Sequence, residues 1–203
     1  MASKSTRQNI LDAAEQVFAR RGYDGGSIRE ICALAEVNTG SVVYHFGTKD
    51  ALFDAVIEQR REPFLEDFAT HMDGVAGGSP RDVMGAYIGF LFERFHQDEW
   101  HDYVRVLAKS ASAYDLPAVR SNLMKFDPMP RRVQQVLHDV SGIDDQAFLR
   151  RIVLYAESTV TTLFISDFLI DRRVGSAMDA YAENVVAELT SIMASVIVPV
   201  PPA

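Results

Sequence analysis

A single cysteine, Cys32, in 203 residues excludes an internal disulfide framework and any cysteine-rich zinc site. Cys32 reads instead as a small buried hydrophobe. Glycine and proline are sparse, 12 and 8, too few for a collagen-like or low-complexity chain. The longest nearly uncharged run, Ile152 to Ile170, is interrupted by Glu157 and Asp167, so no membrane span is expected. Met1 to Asn9 is polar and lacks the apolar core of an export signal. Hydrophobic residues at 48% against 24% charged describe a globular chain, expected in the cytoplasm. There is no Gly-rich phosphate loop, no G-x-S-x-G and no H-E-x-x-H, so the usual enzyme signatures are missing.

Basic charge is also scarce: 20 Lys and Arg against 28 Asp and Glu, a net charge of −8. Its distribution matters more than its sum. Residues 1–50 carry six basic and six acidic side chains, and the remainder carries fourteen and twenty-two. An acidic body would be repelled by nucleic acid; the neutral first quarter would not.

What is present is helical spacing. Ile10, Ala14, Val17 and Phe18 share one face, between a Ser5-x-x-Gln8 capping box and Gly22. Ser27-x-x-Glu30 starts a second helix with Ile31, Leu34 and Ala35 as its stripe. Asn38 is a plausible N-cap for a third, in which Val42 and Phe46 pair at i, i+4. Thr48-Lys49-Asp50 opens a longer helix into the low seventies, kinked or broken at Pro63. The Gly-rich segment 73–80 is the clearest boundary. Beyond it the spacing predicts helices over about 80–97 and 100–112, short ones around Pro117, Pro128 and Pro130, and long ones over about 144–171 and 176–198. No alternating strand pattern and no internal repeat is present, so the fold class is all-α.

Residues 27–46 read as helix, short turn at Glu36 and Val37, helix. That is the pattern of a helix-turn-helix, whose second helix enters the major groove. Asn38, Thr39, Gly40 and Ser41 are small and hydrogen-bonding, so backbone can approach base edges. Tyr44 and His45 follow with donors at phosphate reach, and Lys49 sits at a helix start where its ammonium and free N–H groups can share a phosphate.

These residues resemble the TetR family of bacterial transcriptional regulators. The resemblance is carried by Ile10-Leu-Asp-Ala-Ala14, Phe18-Ala19, Gly22-Tyr23, Ser27-Ile-Arg-Glu-Ile31, Ala35, Val37, Tyr44-His-Phe-Gly-Thr-Lys49 and Leu52. It implies a three-helix DNA-binding head over 1–50, a helical-bundle body over 51–198 for ligand binding and dimerisation, and a frayed tail over 199–203. By position it implies base contact from Arg29, Thr39 and Ser41 and phosphate contact from Tyr44, His45 and Lys49; Asn38 joins them from its place at the helix start. Two departures stand out. Val43 occupies the place of a phosphate-contacting tyrosine, and Glu36 that of a turn glycine. The run Val37 to Lys49 is similar to a subset of the family with members that respond to acyl chains.

The expected partners are double-stranded operator DNA, a second copy of the chain and a small amphipathic effector, with no metal or cofactor. The dimer seam is expected at Phe164 and Phe168 of the long apolar helix and at Tyr181, Val185, Leu189, Ile192 and Val196 of the last one, spaced 4, 4, 3 and 4. Phe92, Trp100, Tyr103, Met124, Phe126, Tyr155 and Thr159 are candidates for the effector wall. Arg105, Lys109 and Arg120 are the nearest cations for an anionic end. Two rivals remain: a helical-bundle enzyme using Glu93, His96 and His101, and a DNA-binding module with no inducer.

Overall fold

The computed structural model describes residues 5–111, 113, 116–165 and 178–197. Among the described residues the chain is helical and contains no strand, as expected. No described helix is long and apolar enough to cross a membrane. The chain divides into two compact units, Met1–Pro63 with Asp98–Lys125, and Phe64–Gln97 with Phe126–Ala203.

The first unit is built on α1 (Thr6–Gly25), α2 (Ile28–Leu34), α3 (Thr39–Phe46) and the beginning of α4 (Lys49–Asp73). Ser5 Oγ accepts from the Gln8 N–H at 3.2 Å. The Gln8 side chain does not complete a box; it donates to Asp12 and Gln59. Gly22 does not end α1 either. At φ 70° and ψ 178° Gly22 breaks the helical geometry, and the helix resumes to Gly25. The predicted stripe Ile10, Ala14, Val17 and Phe18 is fully buried, with the Phe18 ring edge-on to Phe53 at 5.2 Å. Burying the Ile10, Val17 and Phe18 side chains stabilises the fold by roughly 1.5–3 kcal/mol each. Later in the chain, α6 (Asp98–Ala111) and α7 (Pro117–Leu123) join this unit, α6 packing on α1. Tyr103 of α6 is buried and donates its hydroxyl to the Ile57 carbonyl at 2.9 Å.

The turn between α2 and α3 is made without glycine. Glu36 has a φ of 56°, and among the described residues no other non-glycine is left-handed. A side chain there costs roughly 1–2 kcal/mol. Glycine would remove that strain but add about 0.5–1 kcal/mol of unfolded-state entropy. Glu36→Gly is therefore expected to raise stability by about 0.5–1 kcal/mol, and Glu36→Ala to give no gain; thermal melts of the pair check this. Equal melting points for the two variants would show that the left-handed backbone is not the cause.

The second unit contains the end of α4, then α5 (Pro80–His96), α8 (Pro128–Ser141), α9 (Gln146–Ile165) and α10 (Met178–Ser195). Helix α4 continues through Pro63 to Asp73, although proline offers no N–H to the preceding turn. A capping box that the sequence reading missed starts α5: Ser79 accepts from the Asp82 N–H, and Asp82 accepts from the Ser79 N–H at 2.7 Å. Hydrogen bonds from the Ser79 hydroxyl and N–H hold the Asp82 carboxyl below its usual range. The core of this unit holds a cluster of aromatic side chains (Phe64, Phe68, Tyr87, Phe90) together with aliphatic ones (Val133, Val136, Leu137, Leu149, Val153).

Candidate nucleic-acid interface

Three local features build the interface in the first unit. Ser27 Oγ accepts from the Glu30 N–H at 3.1 Å and starts α2; the Glu30 carboxylate then lies 3.7 Å from Arg21. Asn38 caps α3, its Oδ1 accepting from the Ser41 N–H at 2.9 Å and the Ser41 hydroxyl at 3.3 Å. A cap of this kind stabilises a helix by about 1 kcal/mol. Gly47, at φ 74°, ends α3 by donating its N–H to the Val43 carbonyl at 2.9 Å.

Helix α3 shows how the pattern divides its faces. Val42 and Phe46 are buried, and Thr39, Gly40, Val43 and Tyr44 are exposed, Tyr44 at 84%. Ser41 and His45 are half-buried, the His45 ring meeting Tyr44 edge-on at 5.0 Å. Ser41 gives its hydroxyl proton to Asn38, which leaves its lone pairs free to accept from a base amino group. Arg29 is exposed on α2.

Lys49 is held rather than loose. Its Nζ lies 4.6 Å from the Tyr23 ring centroid and donates to the Asp24 carbonyl at 3.4 Å. Tyr23 in turn donates its hydroxyl to Asp50. Burial first, and the Asp50 carboxylate second, push the Tyr23 phenol up to about 12. It therefore stays a neutral donor at physiological pH. This cluster joins the end of α1 to the start of α4 and aims the Lys49 ammonium. Arg7, which the sequence reading left unassigned, lies over the Phe46 ring at 5.2 Å. It adds a cation beside the end of α3.

Behind this surface is a buried polar group that was also missed. Glu15 of α1 is 6% exposed and accepts from Gln59 Nε2 at 2.7 Å and Arg60 Nε at 3.2 Å. Burial is the largest influence on its carboxyl and raises it, while Arg60 and Gln59 pull it down. Arg60 continues to the Trp100 ring at 5.6 Å and to Glu99 at 3.8 Å. One side chain thus links α1, α4 and α6.

The other candidates are distributed between the two units. Trp100, Tyr103 and Met124 belong to the first, and Phe92, Phe126, Tyr155 and Thr159 to the second. Tyr103 is committed to Ile57, Met124 and Tyr155 are exposed, and the Thr159 hydroxyl is bonded to the Tyr155 carbonyl at 2.8 Å. Phe92 and Phe126 are buried, Phe126 edge-on to Phe64 at 6.1 Å. Of the expected dimer residues, Leu189 is half-buried and Ile192 and Val196 are exposed. Phe168 and the side chains of Phe164, Tyr181 and Val185 lie outside the described residues. No group of His, Cys, Asp and Glu suited to a metal ion occurs among the described residues.

The chain is similar to NicS, an HTH-type transcriptional repressor of Pseudomonas putida, with 30% identity over 120 residues, 59% of this chain and 55% of NicS. It spans about half the length of that curated relative. Among solved structures it is similar to a TetR-like transcriptional regulator from Rhodococcus sp. RHA1, at TM-score 0.63 and 23% identity, covering 94% of this chain and 96% of the other. It is also similar to the multidrug binding protein EbrR complexed with malachite green, at TM-score 0.59 and 26% identity, covering 92% and 98%. Residues 10–56 match the bacterial regulatory proteins of the tetR family, and these are the residues that hold α2, α3 and the Tyr23–Lys49–Asp50 cluster: this segment is a domain of that family.

Proposed function

We propose that this protein is a sequence-specific DNA-binding repressor whose operator affinity is set by a small amphipathic effector. It acts in the cytoplasm as a homodimer and carries out no catalysis. The observation that carries the reading is α3: its start is fixed by the Asn38 cap and its outer side holds Thr39, Ser41 and Tyr44, beside a positioned Lys49. NicS, similar over part of its length, is itself named a repressor. EbrR, similar over nearly its whole length, is named for its binding of drugs. Residues 1–50 serve as the head, 51–198 as the body and 199–203 as the tail.

Each copy places α3 in a major groove, on half-sites about one helical turn or more apart. Arg29, Thr39 and Ser41 reach base edges, Tyr44, His45 and Lys49 reach phosphates, and Asn38 fixes the helix start between them. The effector binds one conformer better than the other, and a coupling of about 1–3 kcal/mol releases the operator. Its apolar part meets walls in the second unit that include Phe92 and Phe126, with Tyr155 and Thr159 as the other candidates there.

Lys49→Ala tests the head. It is expected to weaken binding on all DNA sequences alike and to lower the slope of log affinity against log salt by about 1, because one phosphate contact goes. Thr39→Val is expected instead to change which operator is preferred, by roughly 1–3 kcal/mol. An unchanged salt slope for the first, or uniform scaling by the second, contradicts the placement of α3.

A further inference from the structure

We propose that the second unit takes an organic cation, with Glu157 as its counter-ion and the rings around Tyr87 as its wall. This rests on the effector reading above and names the chemical class of that effector. The geometry starts from one hydrogen bond: Tyr87 Oη donates to Glu157 Oε1 at 2.7 Å. Tyr87 is fully buried. Its ring lies 6.0 Å from Phe68, which lies 5.3 Å from Phe90. Phe90 continues to Phe64 at 5.3 Å, and Phe64 to Phe126 at 6.1 Å. A carboxylate therefore sits at the end of a run of five rings drawn from α4, α5 and the turn before α8.

The charges of this unit are unevenly matched. Arg94, over the Phe90 ring at 4.9 Å, is paired with Asp67; Arg131 is paired with Asp127 at 3.0 Å, and Arg132 with Asp73. Glu157 has no such cation among the described residues, and its hydrogen-bond partner is a neutral phenol. The other charge that acts on it is Asp127, of the same sign. Burial and Asp127 together push its carboxyl above the usual range. Glu157 is half-buried, and a carboxylate taken partly out of water is destabilised when ionised without a counter-ion. A ligand that brings a positive charge removes that cost, and ring faces, negative at their centres, attract the same charge. An anionic end meets the opposite situation. Lys109 belongs to the first unit and donates to the Arg20 carbonyl at 2.6 Å.

The experiment titrates the full chain with decylammonium, decanol and decanoate, which share an alkyl chain and differ in end charge. Binding is followed by calorimetry. Decylammonium is expected to bind at least tenfold tighter than decanol, and decanoate more weakly than either. Glu157→Gln keeps the size of the side chain and an acceptor for Tyr87. It is expected to lower decylammonium affinity at least tenfold, leave decanol unchanged and leave operator affinity without ligand unchanged. Tyr87→Phe, which keeps the ring, provides a second variant should the first fail to fold, and is expected to retain the preference for the amine. Equal binding of the three compounds, or an unchanged preference in Glu157→Gln, overturns the counter-ion role while the effector reading stands. Binding of none of the three overturns both.

Discussion

Ile192→Arg is expected to convert the protein to a monomer and to lower operator affinity at least a hundredfold, with the fold of the single chain intact. Ile192 is 59% exposed and Val196, four residues on, 49%. The opposite side of α10 is already used: Thr190 is buried and lies 3.4 Å from where a side chain on Gly85 of α5 would begin, and Ser191 accepts from Arg81. Leu154 and Tyr155 of α9 are also more than half exposed. Large apolar side chains on two helices are therefore exposed, and the proposed dimer would cover those of α10. An unpartnered guanidinium buried in that seam costs several kcal/mol, and each 1.4 kcal/mol is about tenfold in affinity. Two half-sites held by one dimer gain an effective concentration that two separate monomers lack. Sedimentation and operator titration check the two halves of the statement. A monomeric variant with full operator affinity, or a variant that stays dimeric, contradicts it. Ile192 is a cleaner position than Leu189, which is half-buried within its own chain.

The parts of the head that were legible are those fixed within a few residues. Ser5, Ser27 and Asn38 were all identifiable as caps because each donor lies three residues away. Val42 and Phe46 were identifiable as the buried pair of α3 because they are one turn apart. Glu36 could be marked because the resemblance puts a turn glycine at its position, and its φ of 56° is left-handed. Contacts across large sequence separations were not legible. Tyr87 and Glu157 are 70 residues apart, and Glu15 and Arg60 are 45 apart. No local spacing records either pair. Tyr103 illustrates the limit for aromatics: its helical spacing suits a cavity wall or a core equally well, and only its hydroxyl bond to Ile57, 46 residues away, decides how it is held.

Arg60→Ala is expected to destabilise the chain by about 2–3 kcal/mol at neutral pH, less than the roughly 3–5 kcal/mol that breaking a fully buried ion pair costs, because Arg60 is itself 29% exposed. For a chain of this size that is a melting-point loss of roughly 4–12 °C. The loss is expected to depend on pH, and its sign follows from Glu15. Burial raises the Glu15 carboxyl in the folded state, the Asp102 carboxylate adds to the rise, and Arg60 and Gln59 oppose it; the Tyr103 phenol, which also feels Glu15, is held neutral by its own burial. A group raised in the folded state binds its proton more tightly there than in the unfolded chain. Its contribution is therefore fully present below the unfolded value near 4.5 and is lost as pH rises through the folded value. Removing Arg60 raises the folded value further, so the deficit of the variant is largest at pH 7 and above and shrinks as Glu15 takes up its proton. Adding Glu15→Gln to Arg60→Ala removes the buried charge and is expected to recover most of the loss at neutral pH, a coupling that a double-mutant cycle measures directly. Thermal melts of the four proteins between pH 5 and 8 decide the matter. A deficit that is the same at every pH, with no recovery in the double variant, would trace the loss to the packing of Arg60 on Trp100 and not to the Glu15 charge.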